Sequence, residues 1–391
     1  MFVDIEFFSD EPLDNVVSSL KFKYDKVIFF GYSDEAMDDI AKDTVRHFLM
    51  LPHIGVSKVK FVDLPDKSYA QIERAIEKRI EKETNAGNEC FIDLTGGDEL
   101  ALAPAGMLST KYQIPMSIID IEENNVQLLA FTEKYDKLPR RDIHLKLEEF
   151  FHLHRAVIDW TQHKDENKGF YTPEFVDTIN RLQNYTRRMG AEWNRLSSAM
   201  AYLSSDQEIN ICQPRCEIER AARVSNYALH KIIKNIERLY HNKFLTDYTY
   251  DGGYLRFSFP SAMSQDILCS AGAILEHYTY CKVLSNKGAD DCGIGYHLDW
   301  EGDGNPGYTQ PDSDDVINEI DVVYIKNNIP TFISCKNLNV SGNQPLYELE
   351  TVADRFGGSY AHKVLFASGG ASKSVMNRAK EMGIRIIRDI Y

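Results

Sequence analysis

The chain has 391 residues, of which 43% are hydrophobic and 11% aromatic, and its formal net charge is −15. The length exceeds that of one ordinary domain, so we expect two or three domains. The composition is that of a folded protein, which excludes a largely disordered chain. No apolar run approaches the ~20 residues that a membrane-spanning helix needs.

The cysteines and the first residues indicate where the protein acts. The seven cysteines are scattered, and only Cys212 and Cys216 are close together. Such usage favours free thiols in a reducing compartment over disulfides or a zinc site. The sequence opens directly on a strand pattern, so we expect no signal peptide and a cytoplasmic protein.

The first part of the chain, to about residue 135, alternates strand and helix patterns as a doubly wound α/β unit does. The predicted strands are Phe2–Phe8, Lys26–Phe30, Lys58–Asp63, Cys90–Leu94 and Met116–Asp120. The helices between them include Glu35–Leu51 and Tyr69–Ala86. In such sheets ligands bind beyond the carboxyl ends of the strands.

Three loops therefore carry ligand-binding candidates. They are Ser9-Asp10-Glu11, Tyr32-Ser33 and Thr95-Gly96-Gly97-Asp98. Adjacent glycines let backbone N–H groups approach a ligand, and Asp98 is expected to cap the helix that runs to Leu108. An ordinary Gly-Gly turn before a capped helix is the alternative. No Gly-x-Gly-x-x-Gly follows the first strand and no Walker A lysine is present, which disfavours dinucleotide and nucleoside triphosphate cofactors.

The middle of the chain is charged and largely helical. The predicted elements are helices over Leu145–Gln162, Pro173–Leu203, Ile218–Val224 and Asn226–Tyr240, then a hairpin over Phe244–Phe259 with its turn at Asp251-Gly252-Gly253. Two helices followed by a hairpin resemble a winged helix-turn-helix. Its second helix carries His230, Lys231, Lys234 and Arg238, which would suit contact with a DNA groove. A spacer that couples the two ends of the chain is the interpretation that we favour.

Residues 318–337 predict a β-hairpin that carries the main chemical signal. With alternating side chains, Asp321 shares a face with Glu319, and Lys336 shares one with Ser334 across a turn at Asn327-Asn328. A charged group on the inner face of a half-buried strand is costly unless it is paired or metal-bound. A carboxylate that holds a divalent cation beside a lysine that orients water is the equipment of phosphodiester cleavage. A solvated strand edge is the alternative.

Further carboxylates stand at suitable places in the chain. Glu276 lies on a predicted helix, and Glu348 and Glu350 lie on the helix after the hairpin. Spacing alone does not decide between Glu348 and Glu350. The acidic, glycine-rich stretch from Asp299 to Asp315 is predicted to be a loop that leads into the hairpin.

The order Glu276, Asp321, then Ser334-Cys335-Lys336 resembles the PD-(D/E)XK nucleases, the restriction-endonuclease-like superfamily. Ser334 stands where the superfamily has an acidic residue, and the resemblance implies that Glu350 supplies the missing carboxylate. The implied catalytic residues are Glu276, Asp321, Lys336 and Glu350. The implied ligands of Mn²⁺ or Mg²⁺ are Glu276, Asp321, Glu350 and the backbone carbonyl of Cys335.

A Rossmann-like unit with an Asp-x-Thr-Gly-Gly turn, upstream of such a nuclease motif, resembles the CARF-domain nucleases of type III CRISPR systems. The resemblance implies a homodimer that binds a cyclic oligoadenylate, here cyclic tetra-adenylate, and then cuts single-stranded RNA and DNA without strong sequence specificity. The implied messenger-binding residues are Ser9, Asp10, Glu11, Tyr32, Ser33, Thr95, Gly96, Gly97 and Asp98.

The predicted fold class is α/β in three parts. They are a Rossmann-like CARF domain over residues 1–140, a helical, winged-helix-like region over 141–262 and a restriction-endonuclease-like α/β domain over 263–391. Two other functions stay open. One is a ligand-responsive transcription regulator with an inactive nuclease-like domain, and the other is a sequence-specific restriction enzyme with an unrelated N-terminal domain.

Overall fold

The strands form three β-sheets in the computed structural model, which describes residues 1–32, 37–64, 68–159, 171–286, 288–299 and 317–388. Ser33, and the acidic stretch beyond Asp299, lie outside the described residues. Among the described residues, no helix combines the length and the apolar composition that crossing a membrane requires.

The N-terminal sheet has six strands in the order β3-β2-β1-β4-β5-β6. They are β1 (Phe2–Phe7), β2 (Lys26–Gly31), β3 (Lys58–Asp63), β4 (Glu89–Asp93), β5 (Met116–Asp120) and β6 (Asn125–Ala130). The first five are parallel and β6 is antiparallel. The five predicted strands are each confirmed to within one residue, and the crossover order confirms a doubly wound sheet.

The helices of this sheet are α1 (Asp14–Lys21), α2 (Asp39–Leu49), α3 (Tyr69–Asn85) and α4 (Glu99–Tyr112), and a 3₁₀ helix covers Thr132–Lys137. Helix α2 begins at Asp39, later than predicted, because the Asp38 side chain caps it by accepting a hydrogen bond from the Ala41 N–H at 2.7 Å. Asp98 caps α4 in the same way, as predicted, through the Ala101 N–H at 2.9 Å.

The middle region contains α5 (Leu147–Leu153), β7 (Val157–Ile158), α6 (Pro173–Met189), α7 (Ala191–Ser204), β8 (Asn210–Pro214), α8 (Arg215–Val224), α9 (Leu229–His241), β9 (Asp247–Tyr250), β10 (Tyr254–Ser258) and α10 (Ala262–Cys269). The prediction of one helix over 145–162 is wrong, because Arg155 adopts a left-handed conformation (φ 59°) and β7 then joins the C-terminal sheet beside β11. The helix predicted over 173–203 is divided at Gly190.

The C-terminal sheet has the order β15-β14-β13-β12-β11-β7. Its strands after β7 are β11 (Asp291–Asp299), β12 (Ile317–Lys326), β13 (Ile329–Lys336), β14 (His362–Ala367) and β15 (Ile384–Ile387), and its helices are α11 (Ala273–Ser285), α12 (Gln344–Gly357) and α13 (Lys373–Glu381). The predicted β12–β13 hairpin is confirmed, with Asn327 and Asn328 both at positive φ in its turn.

Helices cover both faces of the C-terminal sheet. On one face, α11 packs Leu275 against Val322 and Ile333. On the other face, the core around α12 is continuous, through Phe150 and Phe151 of α5, with the core of the N-terminal sheet. The two ends of the chain therefore share one apolar core, and loops of the N-terminal sheet touch loops of the C-terminal sheet directly.

Candidate active site and ligand cavity

The strands β12 and β13 separate where the predicted catalytic residues lie. Their ladder runs from the turn to the pair Val322 and Ile333 and ends there. Beyond that pair, β12 continues along β11, and β13 continues along β14 as far as Lys336. The divergence opens a notch between the two strands, and Asp321 is the first residue of β12 inside it. A notch at a strand divergence exposes side chains and backbone groups that a continuous ladder would cover.

Where the strands separate, the Asp321 carboxylate takes the place of a backbone carbonyl of β12 as the hydrogen-bond acceptor for β13. The Cys335 N–H donates to Asp321 Oδ2 at 2.6 Å, and the Ser334 hydroxyl lies 3.3 Å from the same oxygen. Burial raises the pKa of Asp321, while the Cys335 N–H and the neighbouring Lys336 ammonium act to lower it. The structure therefore brings Asp321, Ser334 and Lys336 together.

Glu276 approaches the same strand end from α11. It lies in the first turn of that helix, and its side chain folds back beside Gly272. One turn further along, Thr279 Oγ1 lies 3.5 Å from the Cys335 sulfur. Burial raises the pKa of the Cys335 thiol well above its usual value, and the negative charges of Asp321 and Glu276 add to this shift. Glu276 is thus within electrostatic reach of the notch.

Helix α12 distinguishes between Glu350 and Glu348. Its inner face is formed by buried Leu346, Leu349 and Ala353. Glu350 follows Leu349 and is half-buried, whereas Glu348 is exposed and accepts a hydrogen bond from the Gln344 amide at 3.1 Å. Helical spacing places residue 350 with positions 346 and 353 on the face toward the sheet. Glu350 is therefore the better placed of the two.

The carboxylates do not gather into one compact ligand set. Within the described ranges, no three or more His, Cys, Asp or Glu side chains lie close enough to hold a metal ion. Asp321 and Lys336 form the compact part of the arrangement, with Glu276 and Glu350 on helices that flank the sheet. Glu319 is exposed, and its charge raises the pKa of Asp321.

A cavity of about 400 Å³ lies at the carboxyl ends of β1, β2 and β4. Five of the nine predicted messenger-binding residues line it, namely Ser9, Asp10, Tyr32, Gly97 and Asp98. Apolar side chains, including Phe7, Phe30 and Leu64, form the rest of its wall. This combination of apolar surface and a few polar groups suits a ligand with aromatic rings and hydroxyl groups.

Three of the other candidates lie outside the lining of this cavity. The Thr95 hydroxyl donates to Asp93 Oδ1 at 2.9 Å and accepts from the Ile119 N–H at 2.9 Å, so it holds the turn against β5. Gly96 lies against the backbone of Phe7. Glu11 points toward the C-terminal sheet. The fourth, Ser33, lies outside the described residues.

Sequence reasoning missed the contacts that join the β1–α1 loop to the loop after α12. The Ser359 N–H and hydroxyl both donate to Glu11 Oε2 at 2.7 Å, and the Tyr360 hydroxyl donates to Asp14 Oδ1 at 2.9 Å. The Ser9 hydroxyl donates to Asp14 Oδ2 at 2.8 Å. A second cavity, of about 610 Å³, lies beside these contacts and is lined from both ends of the chain. No local pattern could have indicated contacts between such distant segments.

A group of buried carboxyls below the ligand cavity was also missed. Asp4 and Glu6 point to one side of β1, and Asp93 ends the neighbouring strand β4. Burial raises the pKa of Asp4 to about 6 and raises those of Glu6 and Asp93 well above their usual values. The alternation Val-Asp-Ile-Glu-Phe was the available signal, because it places two acids within an otherwise apolar strand.

The chain joins a doubly wound α/β sheet, through a winged-helix-like region, to a second mixed sheet that carries the candidate catalytic residues. Residues 266–390 match the family model of the Card1-like endonuclease domain. This match confirms the predicted nuclease end of the chain. A search of the curated proteins found no match to the sequence.

Two solved structures share the fold over nearly the whole chain. Protein VC1899 from Vibrio cholerae is 16% identical, with 99% of this chain and 93% of that chain covered and a TM-score of 0.72. Can2 from Sulfobacillus thermosulfidooxidans, solved in complex with cyclic tetra-adenylate, is 16% identical, with 99% and 96% covered and a TM-score of 0.64. These likenesses confirm the predicted α/β fold class.

Proposed function

We propose that this protein is a metal-dependent nuclease that cyclic tetra-adenylate activates and that it acts in type III CRISPR defence in the cytoplasm. One observation carries the proposal: the chain that contains a Card1-like endonuclease domain also has a ligand-sized cavity at the carboxyl edge of its N-terminal sheet. Ligands of open α/β sheets bind at that edge. Its fold is also that of Can2, which was solved with cyclic tetra-adenylate.

The proposed messenger site consists of Ser9, Asp10, Tyr32, Gly97 and Asp98. The N–H groups at the start of α4 suit a phosphate oxygen, and the carboxylates suit ribose hydroxyls or base edges. A cavity of about 400 Å³ is too small for a ring of four nucleotides. One copy of the chain would enclose only part of the ring, and we propose that a second copy encloses the rest.

An exposed apolar surface beside the cavity supports a homodimer. Leu100 and Met107 on α4 are 40% and 60% exposed, and Tyr69 at the start of α3 is 37% exposed. The Tyr69 hydroxyl lies 2.8 Å from the Met107 sulfur, so these side chains form one patch. Helix α4 starts at the cavity, and a partner that covers this patch would bring its own cavity close to the first one.

The proposed catalytic set is Asp321, Lys336, Glu276 and Glu350. Asp321 fits a divalent cation, because a half-buried carboxylate whose pKa is raised by desolvation gains from a nearby positive charge. The PD-(D/E)XK resemblance assigns Glu276, Glu350 and the Cys335 carbonyl to the same ligand set, although the described residues do not gather these carboxylates around Asp321. When bound, Mn²⁺ or Mg²⁺ would polarise the scissile phosphate.

The residues themselves would do the remaining work. Lys336 would hold a water molecule at the notch and offset the charge that develops on the phosphate as the bond breaks. Ser334, which donates to Asp321, would keep that carboxylate turned toward the notch. The proposed substrates are single-stranded RNA and DNA, which are flexible enough to enter a narrow notch.

Activation requires a link between the two sites, and the structure offers a direct one. Ser9 lines the messenger cavity and hydrogen-bonds Asp14, which in turn accepts from Tyr360. Residues 358–360 follow directly after α12, the helix of Glu350. A messenger that moves the Ser9 loop would therefore also move α12. The messenger would activate cleavage if it binds the cleavage-competent arrangement of the two sites more tightly than the inactive one.

The test is cleavage of labelled single-stranded RNA and DNA with Mn²⁺, with and without cyclic tetra-adenylate. We expect cleavage only with messenger present, and none from Lys336→Ala under either condition. Cleavage by the parent protein without messenger would refute the sensor assignment and leave the nuclease assignment intact. Absence of cleavage under every condition would favour a ligand-responsive DNA-binding regulator.

A further inference from the structure

Strands and helices between residues 210 and 258 form a complete winged helix-turn-helix. Strand β8 is followed by α8, a short turn with Asn226 at φ 48°, and α9, and the hairpin β9–β10 then pairs with β8 in the order β8-β10-β9. The structure thus confirms the two helices and the hairpin that the sequence indicated. In this motif the second helix is the one that enters the major groove of DNA.

Helix α9 has one buried face and one basic, exposed face. Ile232, Ile236 and Leu239 are fully buried in the core of the middle region. The outer face carries His230, Lys234, Arg238 and His241, all exposed and spaced along one side of the helix. Lys231 is used differently, because it forms an ion pair with Glu192 of α7. Glu237 is the single acidic residue of α9.

The wing adds an exposed aromatic ring to this face. Tyr254 at the start of β10 is 47% exposed, and the Arg256 guanidinium lies 5.3 Å from the centre of its ring. Arg256 also pairs with Asp251 at 3.1 Å, and with Asp247 the wing carries two acidic residues and one basic residue. The positive charge of the module is therefore concentrated on α9, and the wing supplies a flat, polarised surface next to it.

We propose that the outer face of α9, together with the wing, is a docking surface for double-helical DNA. The charge of the α9 face and the shape of the helix indicate that the ligand is double-helical DNA. The whole chain carries a net charge of −15 and repels phosphates, so nucleic acid would be held at the basic outer face of α9, where Lys234 and Arg238 have Glu237 as the one acidic residue of the helix. An α-helix fits the major groove of B-form DNA, whereas the deep, narrow major groove of double-stranded RNA excludes it.

This surface is rigidly joined to the nuclease end of the chain. Ile274 and Cys281 of α11 belong to the same apolar core as α9. Helix α11 is also the helix of Glu276 and packs on the C-terminal sheet. DNA held on α9 is therefore fixed relative to the proposed catalytic helix. The surface would retain the nuclease on DNA and so goes beyond the proposed messenger-activated cleavage.

The experiment is fluorescence anisotropy with the full-length protein, in EDTA so that nothing is cleaved. A labelled 30-base-pair DNA duplex, an RNA duplex of the same sequence and the single strands are titrated at several salt concentrations. The variant is Lys234→Glu/Arg238→Glu. Its matched control is Arg74→Glu/Lys78→Glu, which reverses two exposed charges at the same spacing on α3.

We expect the parent protein to bind the DNA duplex at least tenfold more tightly than the RNA duplex. The α9 variant should lose at least tenfold in affinity, with a salt dependence shallower by about 2 on a log–log plot, as loss of two phosphate contacts predicts. The control should stay within about twofold. No saturable duplex binding, equal binding of both duplexes, or equal losses in both variants would each overturn the proposal.

Two further measurements keep the result decisive. If thermal denaturation shows that Lys234→Glu/Arg238→Glu is not folded at the temperature of the binding assay, the milder Lys234→Ala/Arg238→Ala variant replaces it. Messenger-dependent cleavage of a short single strand is measured in parallel, because failure of the docking surface leaves that cleavage unchanged. Failure of the proposed nuclease function would instead abolish cleavage and leave duplex binding in place.

Discussion

Glu11 and Ser359 are 348 positions apart in the chain and are joined by two hydrogen bonds to one carboxylate oxygen, each 2.7 Å long. The close approach depends on Gly358, which has φ +68° and whose missing Cβ would lie 2.5 Å from Glu11 Oε1. Glu11 follows the cavity-lining residues Ser9 and Asp10. The contact therefore ties the proposed messenger loop to the end of α12.

Removing the hydrogen bonds between the messenger loop and the loop after α12 should alter activation without removing messenger binding. In Ser359→Ala/Tyr360→Phe, the three hydrogen bonds that join the two loops are reduced to one, the backbone bond from residue 359. We expect the ratio of the cleavage rates with and without messenger to fall about fivefold or more, because the link between the two sites is weakened, while messenger affinity changes by less than that. Calorimetric titration with cyclic tetra-adenylate and cleavage rates measure the two quantities.

The control for this variant is Ser57→Ala/Tyr112→Phe, which removes hydroxyls that do not contact the C-terminal sheet. It should behave as the parent protein does. An unchanged ratio of cleavage rates with and without messenger in Ser359→Ala/Tyr360→Phe would show that the contact is structural only.

Neighbouring residues at the strand divergence should differ sharply in their importance. Lys336→Ala should lower the cleavage rate by about 10³-fold, in the range for loss of a general acid–base or electrostatic group. Cys335→Ala should retain cleavage within about threefold, because the proposed metal contact is its backbone carbonyl and its N–H still bonds Asp321. A Cys335→Ala variant that is folded but inactive would contradict this assignment.

The two glutamates of α12 provide a second matched pair. Glu350→Gln should lower cleavage by about 10²-fold or more and raise the Mn²⁺ concentration needed for half-maximal rate, because a carboxylate is the preferred ligand of a hard cation. Glu348→Gln should leave both quantities unchanged, since its exposed side chain bonds only Gln344 among the described residues. Equal losses in the two variants would place the third carboxylate elsewhere.

Part of this arrangement could be predicted from the sequence, because it depends on local periodicity. Alternation along β12 and β13 placed Asp321 and Lys336 on one face, and helical spacing separated Glu350 from Glu348 once the buried face was known. Contacts between distant segments have no such signature. The hydrogen bond from the Ile119 N–H to Thr95 and the hydrogen bonds from Ser359 to Glu11 join segments that are distant in the chain, so local periodicity could not predict them.

The helix predicted over residues 145–162 shows a second limit. The apolar spacing continues past Leu153, but Ala156 and Ile158 bury their side chains as part of an extended segment. Periodicity cannot tell a helix from a strand over so short a stretch. The segment becomes a strand because it pairs with the free edge of β11, and the residues of that edge lie far along the chain.

Gly97 should be essential for the turn at the messenger cavity. Its φ is +93°, and an added Cβ would lie 2.3 Å from Phe7 Cβ, so Gly97→Ala combines backbone strain with overpacking. We expect it to lower the free energy of unfolding by about 2–4 kcal/mol and to weaken messenger binding. Gly87→Ala is the control, because Gly87 also has positive φ, +74°, but meets no atom within 4 Å. Equal effects of the two substitutions would exclude the role of the Phe7 contact.

The buried carboxyls of β1 should make stability depend on pH. The folded pKa of Asp4 is raised to about 6 from 3.8, chiefly by burial, and that of Glu6 is raised well above its usual value for the same reason. A raised folded pKa means that the folded state binds protons more tightly than the unfolded state. The stabilisation from these protons is complete below the unfolded pKa values, near 4, and is lost as the pH rises through 6 and above.

Thermal unfolding should therefore show a Tm that falls between pH 5 and pH 8. Glu6→Gln keeps a hydrogen-bond donor toward Asp4 but removes one ionisable group, so it should raise the Tm at pH 8 by about 2–4 °C and change it little at pH 5. Glu89→Gln, at the exposed start of β4, is the control and should follow the parent profile. A Glu6→Gln profile parallel to that of the parent would mean that Glu6 does not titrate on unfolding. In that case the loss of stability at high pH would have to come from Asp4 and Asp93, and Asp93→Asn should then flatten the profile instead.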